Sequence, residues 1–120
     1  FPIIFEYTNI VLEGGLPVEK LARLEADLFR ALGHPTRLRI LQLLRREERC
    51  VCEILEALQL EQSNVSQHLA VLRQAGLVAS RRDGMRVMYS LGNPRLNGVL
   101  DAGREAVRHS LRELTHMIED

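Results

Sequence analysis

Ser63-Asn64-Val65-Ser66-Gln67-His68-Leu69-Ala70-Val71-Leu72-Arg73-Gln74-Ala75-Gly76-Leu77-Val78 is the stretch whose reading decides the fold. Val65, Leu69 and Leu72 recur at helical spacing, Ser63 is of a type that caps helix N-termini, and Gly76 is a natural stop. Short polar side chains, Ser63, Asn64, Ser66, Gln67 and His68, crowd the first turns. There, free backbone N–H groups favour phosphate, and amide or hydroxyl groups reach base edges. Taken alone, polar residues at a helix start are more often caps and solvated positions. The residues that follow favour DNA. Leu77-Val78-Ala79-Ser80-Arg81-Arg82 and Arg86-Val87-Met88-Tyr89-Ser90-Leu91 read as strands around Asp83-Gly84, a strong hairpin signal. A basic ribbon directly after a polar, glycine-terminated helix is a wing, in which Arg81, Arg82 and Arg86, with Arg73 on the helix, supply charge for the DNA backbone.

Working outward, Val51, Ile54, Leu55 and Leu58 predict a helix from the cysteines to about Gln59. Leu60-Glu61-Gln62 joins it to the recognition helix, completing a helix-turn-helix. Glu47-Glu48-Arg49 is a polar break. Before it, Pro35 stands at a first-turn position of a helix reaching about Arg46, with Leu38, Ile40, Leu41, Leu43 and Leu44 apolar. His34, between a helix-ending glycine and a proline, is expected to cap or hydrogen-bond. Leu21, Leu24, Leu28 and Leu32 mark an earlier helix from Glu19 that ends at Gly33. Downstream, Asn93-Pro94 opens a terminal helix whose stripe of Leu96, Val99, Leu100, Ala106, Val107, Leu111, Leu114 and Ile118 calls for a partner, its own copy across a two-fold axis. The expected fold is mainly α with a small β-hairpin, a winged helix-turn-helix dimeric through its terminal helices. Residues 18–120 form that domain. Residues 1–17, ending in the linker-like Glu13-Gly14-Gly15-Leu16-Pro17, are read as a flexible N-terminal arm or a non-native remnant.

At 120 residues and 46% hydrophobic content the chain suits one domain with a modest core. Its apolar runs fall well short of the roughly 20 residues that cross a bilayer, and Phe1-Pro2-Ile3-Ile4-Phe5 lacks a basic leader. The expectation is a cytoplasmic protein with no membrane partner. Sixteen basic and sixteen acidic residues cancel, which argues against a general polyanion binder. The balance is local: Ser63 to Arg95 holds five arginines (Arg73, Arg81, Arg82, Arg86, Arg95) against Asp83, five minus one, or plus four. Of the basic residues only Lys20 is lysine, and guanidinium forks suit phosphate and guanine.

Cys50 and Cys52 are the two cysteines of the chain. Thiolates are the ligands that soft ions select, and at a frayed helix start two residues apart can face one ion. In regular helix they would diverge by about 200°. The helix N-terminus and Arg49 favour the thiolate. The bland alternative is a pair of small buried hydrophobes. No phosphate loop, supported Ser-His-acid set or base paired with a cysteine is present, so an enzyme is not expected.

From about Leu28 to Leu91 the chain resembles the ArsR/SmtB family of winged-helix metal-sensing repressors. The likeness runs through Leu32-Gly33-His34-Pro35-Thr36-Arg37-Leu38-Arg39-Ile40-Leu41, Cys50-Val51-Cys52-Glu53-Ile54-Leu55, the Ser66–Val78 segment and Asp83–Leu91. The resemblance implies a homodimer that holds double-stranded operator DNA and releases it when a metal or metalloid binds. It places Cys50 and Cys52 in the family's arsenic and cadmium motif, with As(III) or Sb(III) as inducer. Leu55 stands where arsenical sensors carry a third cysteine, so one subunit offers two thiolates. Residues 1–49 hold none of the extra cysteines of cadmium and lead sensors, which makes Cd(II) the weaker reading. His116 and Glu119 match the His-x-x-Glu half of an interfacial zinc motif, and its other half falls on Gly103 and Glu105, with His109 a substitute ligand for Zn(II). A helix end that is merely solvated is the plainer reading there. His68 is expected to contact DNA or pack. A further alternative is a redox or reactive-sulfur switch, in which the thiols join as a disulfide or polysulfide.

Overall fold

The computed structural model describes residues 15–119, so most of the expected N-terminal arm lies outside the described residues. Helix α1 (Val18–Leu32) ends at Gly33 and α2 (Pro35–Leu44) follows at once. Gly33 is favoured by close approach: a Cβ there would sit a tight 3.3 Å from the Phe29 carbonyl oxygen. His34 caps α2, its Nδ1 accepting the Thr36 N–H at 3.1 Å, the role expected of it. Strand β1 (Arg49–Cys50) leads into α3 (Val51–Leu58), and Gln59 ends that helix with φ 56°, the left-handed region.

The recognition helix α4 (Gln62–Gln74) starts two residues earlier than expected. Glu61, not Ser63, is its N-cap and makes no side-chain cap bond, so Ser63 lies inside the first turn. The C-terminus matches the expectation from Gly76. That glycine has φ 75°, its N–H reaches the Arg73 carbonyl at 3.0 Å, and the Leu77 N–H reaches Leu72 at 2.9 Å, a Schellman closure. Strands β2 (Val78–Asp83) and β3 (Arg86–Leu91) pair antiparallel from Val78↔Leu91 to Asp83↔Arg86, leaving Gly84 and Met85 as the two-residue loop. Gly84 has φ 63°, the backbone such hairpin loops demand. Helix α5 (Leu96–Glu119) closes the chain.

One element was not expected. The polar break before the cysteines is partly strand: β1 pairs antiparallel with β3, Arg49↔Tyr89 and Cys50↔Met88, making a three-stranded sheet ordered β1-β3-β2. Two residues carry no periodicity to read, and only the partner strand reveals them.

The core draws on every helix. Leu32, Ile40, Leu41, Leu44, Ile54, Leu58, Val65, Leu69, Leu72, Leu77, Val78, Leu96 and Leu100 are buried together. Each fully buried aliphatic side chain contributes about 1.5–3 kcal/mol, and this cluster fixes α3 against α4 and seats the wing's base. Along α5 the pattern changes. Leu96 and Leu100 are buried, whereas Val107, Leu111, Leu114, Met117 and Ile118 are more than half exposed. No described helix is long and apolar enough to cross a membrane.

Candidate nucleic-acid interface and thiol pair

Helix α4 has two faces. Val65, Leu69 and Leu72 turn inward, while Ser63, Asn64, Ser66, Gln67, Ala70 and Arg73 are exposed. At about 100° per residue, Ser63, Ser66, Gln67, Ala70 and Arg73 share one side, and Asn64 lies at its edge. His68 is turned away from that face. It is half-buried, its ring centroid 4.2 Å from that of His34, and its Nδ1 accepts from Arg37 Nη1 at 3.3 Å. Burial pushes the His68 imidazole below its ordinary range, and the charges of His34 and Arg37 push the same way. The neutral ring is therefore favoured, as an acceptor from Arg37. Arg37 also donates from Nε to the Ala31 carbonyl at 2.7 Å and from Nη2 to Arg30 at 3.3 Å, tying α4 to the end of α1. Packing, the second of the two roles expected for His68, is where the geometry puts it.

The wing arginines divide between the two faces of the ribbon, because side chains alternate along a strand. Arg82 shares a face with Ser80, whose Oγ accepts from Arg73 Nη1 on α4 at 3.4 Å. A cavity of about 330 Å³ lined by Ser66, Ala70, Arg73, Gln74 and Tyr89 separates helix and ribbon there. Arg81 faces the other way and is engaged: its Nη2 and Nε donate to Glu48 Oε1 and Oε2 at 2.6 and 2.8 Å. That pairing holds the Glu48 carboxyl below the usual carboxylate range. Arg82 and Arg86 are exposed and make no ion pair among the described residues.

Cys50 and Cys52 straddle a boundary. Cys50 is the N-cap of α3, with extended backbone at φ −75° and ψ 161°, and Cys52 is the second helical residue. Because Cys50 has not entered the helix, the divergence of a regular helix does not apply. The Cα atoms are 5.2 Å apart and the two sulfurs are joined as a disulfide. Burial is unequal, with Cys50 1% exposed and Cys52 open to solvent. Cys50 also completes a capping box: its Sγ accepts the Glu53 N–H at 3.2 Å, while Glu53 Oε1 accepts the Cys50 N–H at 3.1 Å. That backbone hydrogen bond, with Arg49 beside it, draws the Glu53 carboxyl below its ordinary range. Arg49 reaches Glu47 at 3.2 Å and Glu53 at 3.5 Å.

No three His, Cys, Asp or Glu side chains come together to hold an ion among the described residues. On α5, Glu105 lies 2.9 Å from Arg112 and 3.9 Å from Arg108. Glu105, His109 and His116 share a face, yet Glu105 and His116 are eleven residues apart, about 16 Å of helix at 1.5 Å per residue. One copy cannot close that set on one ion. Glu119 closes the helix, and its side chain is outside what is described.

Residues 34–80, from the His34 cap to the wing's first strand, match the family model for bacterial regulatory proteins of the arsR family. The HTH-type transcriptional regulator Rv0081 of Mycobacterium tuberculosis is 43% identical over 103 residues, 85% of this chain and 90% of that protein. This chain belongs to the ArsR family. The crystal structure of Rv0081 superposes with a TM-score of 0.74, covering 79% of this chain and 96% of that one. The arsenic resistance transcriptional regulator ArsR1 of Pseudomonas putida is 40% identical over 77% of this chain and 78% of its own length. The homodimeric winged helix-turn-helix domain Mb0332 of Mycobacterium bovis, 28% identical, aligns at TM-score 0.72 over 79% of this chain and 88% of that one. As an ArsR-family protein the chain is a repressor-type transcriptional regulator with a winged helix-turn-helix DNA-binding fold, and not an enzyme.

Proposed function

We propose that this ArsR-family protein is a homodimeric repressor that holds operator DNA while Cys50 and Cys52 are free thiols and lets go when the two sulfurs are bridged. The observation that carries the reading is the convergence of both sulfurs at the junction of β1 and α3, where one end of the bridge is buried and the other exposed. A bond there acts on the helix packed against the recognition helix.

Ser63, Asn64, Ser66 and Gln67 read the major groove, with Arg73, Arg82 and Arg86 on phosphates. The first-turn amides of α4, without a side-chain acceptor from Glu61, suit a phosphate oxygen. Dimerisation is supported by the exposed stripe on α5 and by an apolar hollow of about 950 Å³ that continues it, lined by Phe29, Leu38, Leu43, Val99 and Val107 among others. A helix of 24 residues is about 36 Å long, enough to run beside its symmetry mate.

The chemistry that the geometry favours is oxidation. The exposed Cys52 thiolate attacks a peroxide, giving a sulfenic acid and an alcohol or water. The Cys50 thiol then displaces water from that sulfur, forming the disulfide at the cost of one two-electron oxidant. A second reading, favoured by likeness to a regulator of arsenic resistance, has arsenous acid or its antimony counterpart exchange two hydroxides for the two cysteine sulfurs, each hydroxide leaving with a thiol proton as water. The experiment is fluorescence polarisation on promoter DNA with reduced protein, titrated with hydrogen peroxide, arsenite, antimonite, Cd(II) and Zn(II). Release by peroxide that any reductant reverses supports oxidation. Release by arsenite that only a chelating dithiol reverses supports the metalloid. Release by zinc alone moves the sensor to Glu105, His109, His116 and Glu119 of paired α5 helices.

A further inference from the structure

Cys50 belongs to the wing's sheet as well as to the helix-turn-helix. It pairs with Met88 on β3, and Met88 pairs in turn with Arg81 on β2. Directly opposed residues of antiparallel strands point to one face with Cβ atoms about 4.5–5.5 Å apart. Cys50, Met88 and Arg81 therefore form one row across all three strands, its first two members buried. The row closes on itself, because the Arg81 guanidinium makes its two-pronged bond to Glu48, two residues before Cys50. The segment 48–50 thus holds the ribbon at its inner strand through the β1–β3 ladder and at its outer strand through an ion pair.

We propose that the wing is the element through which bridging is read out, with Glu48 and Arg81 as positioning residues that make β2 follow the cysteine segment. The inference rests on the bridging reading and names how it reaches DNA. An exposed ion pair adds little to stability by itself. This one spans 33 residues of sequence and joins the switch segment to a strand that carries Arg82 on its opposite face, so its consequence is positional. A six-residue strand is about 20 Å long, and a base tilted by about 10° moves the tip near Arg86 by roughly 3 Å, beyond the tolerance of a hydrogen bond to phosphate.

The test uses the full dimeric protein as the dithiol, kept by a phosphine reductant, and as the disulfide, made with hydrogen peroxide. Amide exchange over residues 78–91 should differ between the two forms of the wild type. Glu48→Gln should leave dithiol binding to DNA close to wild type while lowering the dithiol-to-disulfide affinity ratio by about five-fold, the low end of ordinary coupling between sites. The charge swap E48R/R81E should weaken both forms on DNA but restore the ratio. Exchange changes confined to α4, or an undiminished ratio in Glu48→Gln, would overturn the inference and leave the bridging reading standing. A wild type that keeps its DNA in both forms would overturn bridging itself, and its wing exchange would still decide whether β2 follows Cys50.

Discussion

Replacing Cys50 separates its structural duty from its chemical one. Its sulfur is the acceptor for the Glu53 N–H and is 1% exposed, so Cys50→Ala removes both an N-cap and a buried group. Loss of an N-cap acceptor costs about 1 kcal/mol, and loss of a buried group the size of a methylene costs about 0.8 kcal/mol before any cavity. Together they come to roughly 2 kcal/mol. Cys50→Ser keeps an acceptor of nearly the same reach and should recover about half of that, while being as unable as alanine to form a bridge. The assay is urea unfolding of the wild type and both variants under reductant, at one protein concentration because the stability of the proposed dimer would depend on it. With a slope of about 1–3 kcal/mol per molar urea, the alanine variant should unfold at a midpoint lower by roughly 1 M, and the serine variant at an intermediate one. Equal midpoints for alanine and wild type would refute the cap, and a serine variant as weak as alanine would show that burial alone matters.

Other consequences follow from single positions. Gly76→Ala strains a left-handed residue in open space and should cost about 1 kcal/mol, whereas a Cβ at Gly92 would lie 2.6 Å from the Gly76 carbonyl oxygen, so Gly92→Ala should be the more damaging in the same unfolding assay. Acid should weaken the fold in one direction: Glu48, Glu53 and Asp101 all have folded pKa values drawn down, through Arg81, the Cys50 N–H and Arg45 respectively. Their stabilisation is present above the ordinary carboxylate range and is lost as pH falls through the lowered values. Thermal melts below about pH 4.5 should show it, with Glu48→Gln giving a shallower fall. Arg82→Gln and Arg86→Gln should each weaken binding equally on all DNA sequences and reduce the salt slope by about one, read by polarisation at several salt concentrations.

Much of this was legible because it is periodic. The buried trio Val65, Leu69 and Leu72 and the glycine stop at Gly76 are local signals that sit where the spacing puts them, and the Asp83-Gly84 hairpin signal is met one residue on, with Asp83 paired to Arg86 and the loop at Gly84 and Met85. The misses are non-local. Strand β1 exists only because Met88 and Tyr89, some forty residues on, offer it hydrogen bonds. His68 stands in the polar run of α4 by sequence, yet one further residue round the helix turns it from Gln67's face toward His34 and Arg37. The helical increment of about 100° per residue separates the two faces. Nothing local shows that Arg81, next to Arg82, spends its charge on Glu48, since alternation separates the two arginines but only the fold supplies the carboxylate. The cysteine pair was found by type and spacing, but its placement across a capping box, with one sulfur buried, required the Glu53 partnership to be seen in three dimensions.

Joining Cys50 to Cys52 should release DNA. Polarisation titrations of the reduced protein, the peroxide-treated protein, the arsenite-treated protein and the Cys50→Ser, Cys52→Ser double variant test it on one promoter fragment. Tight binding is expected of the reduced form and of the variant under every treatment, with loss of affinity confined to the wild type after bridging. Release of the double variant by the same reagent, or undiminished binding by a wild type whose mass confirms the disulfide or the arsenic adduct, would contradict release by bridging.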